Sequence, residues 1–318
     1  MSGSDKRTGI DLVYLWVDGS DPKWLAKRNA FTGNLAENTA INCKGRYTDN
    51  DELKYSLRSV EKYAPWIRKI FIVTDDQTPS WLKNMGTKVI ITDVKDILPQ
   101  ECLPCFNSVT IEHFLYKIPE LSERFLLSCD DMFINKPVLP DTFFAADGFP
   151  IVCLNRKPFK RLVMFWREHI RRKPLLHYSK TIANAAELIK KRYGVYYNAM
   201  PHHNIDAYLK SDCQRVAENI FKKELEVTFA NHIRSYNDIH RIIYQYAALA
   251  EKRGHLRYTN KRESFYVRIY KKEDYKRLEK YSPTFFCAND SQHVNDDDRL
   301  RLKACLNDYF PEKSSFEK

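Results

Sequence analysis

Glycine is scarce in this chain, nine in 318 residues, and none of the glycine-bearing fingerprints of common nucleotide or acyl chemistry is present. GxGxxG, GxxxxGKS/T and GxSxG are all missing, which removes the usual dinucleotide, P-loop and hydrolase-elbow readings. No Ser/Gly-rich tract occurs, so no flexible linker between domains is expected. No apolar run approaches the ~18 residues that span a bilayer. The opening "MSGSDKRTG" has no apolar core of the kind a secretory signal needs. Of eight cysteines only Cys102 and Cys105 fall in a CxxC spacing, and no second ligand pair follows to complete a zinc site. Reduced thiols packed as small hydrophobes, in a cytoplasmic protein, are the expectation.

What is abundant is core and positive charge. Hydrophobic residues make up 43% and aromatics 13%, enough for one large domain or two small ones. The net charge of +11 is concentrated: Asn155 to Arg192 holds twelve Lys/Arg against Glu168 and Glu187, leaving the rest of the chain near neutral. Such a region attracts anions, whether phosphorylated polymer or acidic lipid headgroups. Nucleic acid is disfavoured, because the remainder is neutral and no recognised binding motif appears.

The first half alternates strands and helices. "IDLVYLWV" (10–17), "IRKIFIVTDD" (67–76), "KVIITD" (88–93) and "RFLLSCDD" (124–131) read as buried strands. Helices are expected over 51–64 and over 108–118, the latter capped by Ser108. This alternation predicts an α/β fold, a mostly parallel sheet flanked by helices. Ligands in such sheets bind beyond the carboxyl ends of the strands, where Asp18, Asp75, Asp93 and Asp131 cluster. Three segments are expected: an α/β core over 10–150, a basic and mainly helical insert over 151–215, and completion of the core with a C-terminal helix over 216–318. Further helices are expected around 180–192, 203–212 and 237–253. Within the insert, Phe159, Leu162, Val163, Trp166 and Ile170 recur at helical spacing among cationic residues. The commoner arrangement docks such a stripe onto the core; the alternative lies in an anionic membrane interface along 156–173.

"FLLSCDDMFI" poses a solvation problem: Asp130 and Asp131 sit side by side at the end of a buried strand, where unpaired carboxylates are costly. A divalent cation would answer it, and an arginine or a helix cap would serve as well. "RYTDNDELKYSLRS" places Arg46, Asp49, Asn50 and Glu52 ahead of a helix bearing Arg58, with Asp49 or Asn50 as the plain capping residue. Glu112 and His113 are expected as a surface pair. His202 and His203 follow a proline, and adjacent histidines point apart, so one of them at most is expected to serve as acid or base. Arg234 with Asp238 reads as a solvated helix start. Asp296, Asp297 and Asp298 suit the first turn of a last helix, and Asp290 ends a strand just before it.

These segments together resemble the Stealth family of sugar-1-phosphate transferases of capsule and exopolysaccharide synthesis, whose animal relative is the lysosomal-enzyme N-acetylglucosamine-1-phosphotransferase. The resemblance rests on "DLVYLWVDGSDP", "RYTDNDELKYSLRSVEKYAPWIRKIFIVTDDQTPSWL", "FNSVTIEHFLYKIPELSERFLLSCDDMFI" and "FPEKSSFE". It implies a Rossmann-like, glycosyltransferase-A-like fold. It also implies transfer of hexose-1-phosphate or N-acetylhexosamine-1-phosphate from a UDP-sugar to a hydroxyl of an oligosaccharide, polysaccharide or lipid-linked acceptor, with release of UMP. By the resemblance Glu112, Asp131, Arg234 and His202 or His203 are catalytic. Trp16, Val17, Asp18, Gly19, Arg46, Asp49, Asn50, Arg58, Asp75 and Asn107 face the donor, and Asp130, Asp131 and Asp290 hold Mg2+ or Mn2+. Two departures stand out: Ala199 occupies the family's histidine position ahead of the proline, and Cys129 replaces an amide before the paired aspartates. An ordinary UDP-sugar glycosyltransferase, releasing UDP, is the alternative. A cytoplasmic protein is expected, and peripheral contact with the inner face of the cytoplasmic membrane is the alternative to docking of the 156–173 stripe onto the core.

Overall fold

The computed structural model describes residues 9–33, 41, 43–83 and 88–318. The opening stretch judged to lack a secretory signal falls, through residue 8, outside the described residues. The strands are β1 (Ile10–Leu15), β2 (Ile70–Thr74), β3 (Val89–Asp93), β4 (Arg124–Cys129), β5 (Met132–Ile134), β6 (Ile151–Arg156), β7 (Ala199–Pro201), β8 (Asp206–Leu209), β9 (His255–Tyr258), β10 (Ser264–Arg268) and β11 (Phe285–Asn289). The central sheet runs β3-β2-β1-β4-β8. Its first four strands are parallel and β8 closes one edge antiparallel. Strand β8 lies in the segment expected to be a helical insert, and the helix expected over 203–212 is confined to Lys210–Arg215. Two small sheets flank the centre, β10-β11-β5 and β7-β6-β9.

β1 explains why the strands read as continuous apolar runs: both faces of the sheet are covered. Val13, Phe71, Val73, Phe125 and Leu127 face one core layer. Leu12, Tyr14, Ile70, Ile72 and Leu126 face the other. On β1, Asp11 is fully buried and accepts from the Arg68 guanidinium and from the backbone N–H of Lys69 and Ser122. The chain moves from β1 to β2 on one side and returns to β4 on the other, so the strand order reverses beside β1. That switch opens a crevice at the carboxyl ends of β1 and β4. Asp130 and Asp131 form the turn by which the chain leaves the central sheet at β4 and enters the small sheet at β5.

Several local expectations change. The helix from Ser108 ends at Glu112, and its cap is Asn107, whose side chain accepts from Val109 N–H. Helix Glu52–Tyr63 follows Asp51, at φ 67° with no side-chain cap bond, rather than a cap at Asp49 or Asn50. His113 is fully buried, bonded to the Tyr244 hydroxyl and the Ile239 carbonyl, because the chain folds Ile242–Ala250 over it. The stripe of the basic segment does not dock onto the core: Phe159, Leu162, Val163, Trp166 and Ile170 are all exposed. The acidic turn at Asp296–Asp298 opens the last helix, Asp296–Tyr309, with Asn295 as its cap.

Candidate active site

Two adjoining clefts open at the carboxyl ends of β1, β2 and β4. The first is lined by Leu15, Trp16, Val17, Val73, Asp75 and Phe106, with the Trp24 and Tyr47 rings packed at a tilt of 45° at its side. The second is polar and is lined by Asp131, His177, Tyr178, His203, His240, Arg241 and Asp290. Arg46, Ser108, Glu112, Cys129, Asp130 and Arg234 line both, so they form the wall between the two. Gly19 follows β1 with its backbone against Tyr47, and a Cβ there would lie 2.5 Å from the tyrosine Cβ. Any larger residue would push out the strand-end turn that shapes the first cleft.

Arg234 is brought to this wall by the loop 231–238. Asp238, fully buried, receives the side-chain N–H groups of Asn107 and Asn231 and the backbone N–H of Ser235. Nη2 of Arg234 donates to Ser108 at 2.9 Å, while Nη1 is buried with no hydrogen-bond partner among the described residues. Arg46 is held below its ordinary pKa by burial and by the Arg234 charge. Two neighbouring guanidiniums, one with an open donor, suit an anion with several oxygens.

Carboxylates crowd the same region. Burial pushes Asp130 and Asp131 above the usual carboxylate range, and like charges at Asp131, Glu52 and Asp49 push Asp130 further. Glu52 is likewise raised by burial, and Asp49 is pushed up to about 6 by burial and by Asp51. Asp131 accepts from the Cys287 thiol at 3.1 Å, and ligand atoms of Asp131, His203 and Cys287 lie within 4.8 Å of one another. This crowding of like charge is what a divalent cation relieves, and hard carboxylate oxygens suit Mg2+ or Mn2+. Of the expected ligands, Asp131 belongs to that possible ligand group with His203 and Cys287, and Asp130 does not. Asp290, expected as a third ligand, is instead gripped by Arg299 at 2.9 Å.

Glu112 meets Arg241 at 2.6 Å, and the same guanidinium reaches Asp206 at 3.5 Å. Burial raises the Glu112 carboxyl, and Arg241 and Arg234 oppose that rise. The two histidines separate as adjacent side chains must. His203, at φ 60°, faces the cleft beside Tyr178 and Tyr266, and burial lowers its pKa to about 4, so it is neutral at pH 7. His202 turns inward to Asp206 at 3.3 Å.

Of the residues expected at the donor, Trp16, Val17, Arg46 and Asp75 line the first cleft. Asp18 shapes the turn, accepting from Ser20 and bracketed by Gln77. Asn50 holds the Glu52 carboxylate. Asn107 is buried and donates to the loop that carries Arg234, at the Asn231 and Ile233 carbonyls and at Asp238. Arg58 is spent elsewhere: its fork grips Glu317 at 2.7 Å twice and caps the Phe310 carbonyl. Two of the resembling motifs thus meet, the helix after Arg46 and the terminal "FPEKSSFE". Sequence reasoning missed Arg241, Asp206, Tyr178 and His240. A lone arginine opening the apolar run "IIYQYAALA" was the one available signal.

Residues 8–36 match the model of Stealth protein conserved region 1, and residues 46–152 that of conserved region 2. A capsular polysaccharide phosphotransferase of Actinobacillus pleuropneumoniae, cps12A, is 32% identical over 317 residues, covering 96% of this chain and 83% of that protein. One from Haemophilus influenzae, fcs1, is 34% identical over 297 residues, covering 90% and 79%. The chain belongs to the Stealth family. An exopolysaccharide phosphotransferase of Lactiplantibacillus plantarum, cps2G, is 47% identical over 141 residues, 44% of this chain and 41% of that protein. Conserved region 1 carries β1 and the Gly19 turn; conserved region 2 runs from Arg46 through Glu112 and the paired aspartates into β6. Among solved structures, an active-site mutant of LgtC superposes with a TM-score of 0.44 at 11% identity, covering 96% of this chain and 98% of that one.

Proposed function

We propose that this Stealth protein transfers a hexose-1-phosphate, or an N-acetylhexosamine-1-phosphate, from a UDP-sugar to a saccharide hydroxyl in capsule or exopolysaccharide synthesis. The observation that carries the reading is the shared wall: Arg46, Glu112, Asp130 and Arg234 line both clefts. A donor with its uridine between Trp16, Val17 and Asp75 would present its diphosphate at that wall, and an acceptor in the second cleft would meet it there. The acceptor oxygen attacks the β-phosphorus, the bond from that phosphorus to the α–β bridging oxygen breaks, and UMP leaves. The product is a phosphodiester. Arg234, with its open Nη1 donor, and Arg46 hold the migrating phosphoryl oxygens. Glu112 or neutral His203 takes the acceptor proton, a task typically worth about 10²–10⁴ in rate. Mg2+ or Mn2+ held by Asp130 and Asp131 would neutralise charge on the diphosphate. The reaction is assigned to the cytoplasm, where UDP-sugars are at hand.

Nucleotide release tests this. The protein is incubated with a panel of UDP-hexoses and Mg2+, with and without an oligosaccharide acceptor, and UMP is separated from UDP. UMP from one donor, stimulated by acceptor, is the expected result. UDP would mean ordinary glycosyl transfer and would overturn the proposal.

A further inference from the structure

The basic segment is built inside out. Helix Lys160–Phe165 runs on through a π turn at Trp166–Ile170, and the chain folds back to Leu176. Beneath this hairpin the packing is thin, a cluster of Met164, Leu175 and Ala183. The larger side chains point out: Phe159, Leu162, Phe165, Trp166, Ile170 and Leu176 are between 44 and 70% exposed. With Val163, this one hairpin holds seven of the sixteen exposed large hydrophobic residues found among the described residues. A contiguous exposed apolar patch marks an interaction surface.

Charge identifies the occupant. Arg156, Lys157, Arg161, Arg171, Arg172 and Lys173 are exposed around the same hairpin, and its one acid, Glu168, pairs with Lys180. Arg171 lies over the Trp166 ring at 4.1 Å, a pairing of cation and indole suited to the headgroup level. Under the crest an apolar groove is lined by Val163, Met164, Leu175, Leu176 and Met200, with Lys157 and Arg167 at its edge. A protein partner or a polyanionic chain alone needs no such combination. Apolar side chains at acyl depth, cations at headgroup level and a groove between them suit an anionic bilayer surface. Helix His177–Tyr193 follows directly and supplies His177, Tyr178 and Thr181 to the second cleft. A membrane under the hairpin would therefore lie beside the acceptor side of the site.

We propose that the 157–176 hairpin seats the protein on anionic lipid, and this holds or fails independently of the reaction proposed above. The intact protein is sedimented with vesicles of phosphatidylcholine alone and of phosphatidylcholine mixed with phosphatidylglycerol, without substrate. Binding to the anionic vesicles only, weakened by salt, is expected. Phe165→Ser with Ile170→Ser should weaken it by about tenfold or more. Arg171→Gln, Arg172→Gln and Lys173→Gln together should weaken it about fivefold per charge removed. All five positions are exposed, so the urea midpoint should not move. No binding to anionic vesicles overturns the proposal. So does unchanged binding by the apolar double variant, which would leave a charge-only surface for a soluble polyanion. A dimer in light scattering that this double variant dissociates would assign the patch to a second copy and equally overturn it.

Discussion

Arg241→Met tests the electrostatic design of the site most directly. The guanidinium is 9% exposed and faces carboxylates that are 7% and 2% exposed, Glu112 and Asp206. Asp206 keeps His202 at 3.3 Å when the arginine goes; Glu112 loses the cation at 2.6 Å and keeps only the more distant field of Arg234. Removing one partner of a buried pair costs about 3–5 kcal/mol, because the other charge stays desolvated. Methionine fills similar volume, so the loss is electrostatic rather than a cavity. The assay is urea unfolding at neutral pH followed by tryptophan fluorescence and circular dichroism, with coincident transitions by both probes. Adding Glu112→Gln to Arg241→Met removes the orphaned charge and should restore more than half of the loss. A loss under about 1 kcal/mol, the range of an exposed pair, would refute the reasoning. A double variant no more stable than Arg241→Met would refute it equally.

Glu112→Gln and Arg234→Ala should each abolish UMP release while leaving the circular dichroism spectrum unchanged; turnover near wild type would remove that residue from the mechanism. His203→Gln should lower kcat by about 10²-fold or more, whereas His202→Gln, acting through Asp206, should lower stability first; equal kinetic effects with equal stability would contradict the geometry. Mg2+ should raise the melting temperature of the wild type and not of Asp130→Asn with Asp131→Asn, since an ion that binds only the folded state stabilises it. For Glu317, burial by itself raises the carboxyl, but the Arg58 fork holds it below its ordinary 4.5. A depressed folded-state pKa contributes stability above the unfolded value and loses it as pH falls through the folded one. The advantage of wild type over Glu317→Gln should therefore be full above about pH 4.5 and shrink below it; a gap constant down to pH 3 or so would mean the carboxylate is not its source.

How much of this was legible in the sequence depends on the range of the interaction. The four parallel strands were, because a strand covered on both faces must be apolar throughout, and its turn residues mark where it stops. Asp130 and Asp131 were legible as a problem, since two acids after "FLLSC" have no local remedy. The remedies were not legible, being long-range: Arg241 lies 129 residues from Glu112, and Arg58 lies 259 from Glu317. Neither spacing leaves a local pattern. His113 shows the same limit from the other side. Its neighbours suggested a solvated helix face, and Ile242–Ala250 buries it.

The hairpin makes the sharpest case, because there periodicity was right and its usual meaning was wrong. Spacing of Phe159, Leu162, Val163, Trp166 and Ile170 establishes that they share a face. It says nothing about which side of that face holds water. The excess of cations does not decide it alone, since a helix docked on the core also carries charge beside its apolar stripe. A stripe destined for an anionic surface gains from each cation. Vesicle binding that needs both Phe165 with Ile170 and the three cations at 171–173 is therefore the result that separates the two, where periodicity alone does not.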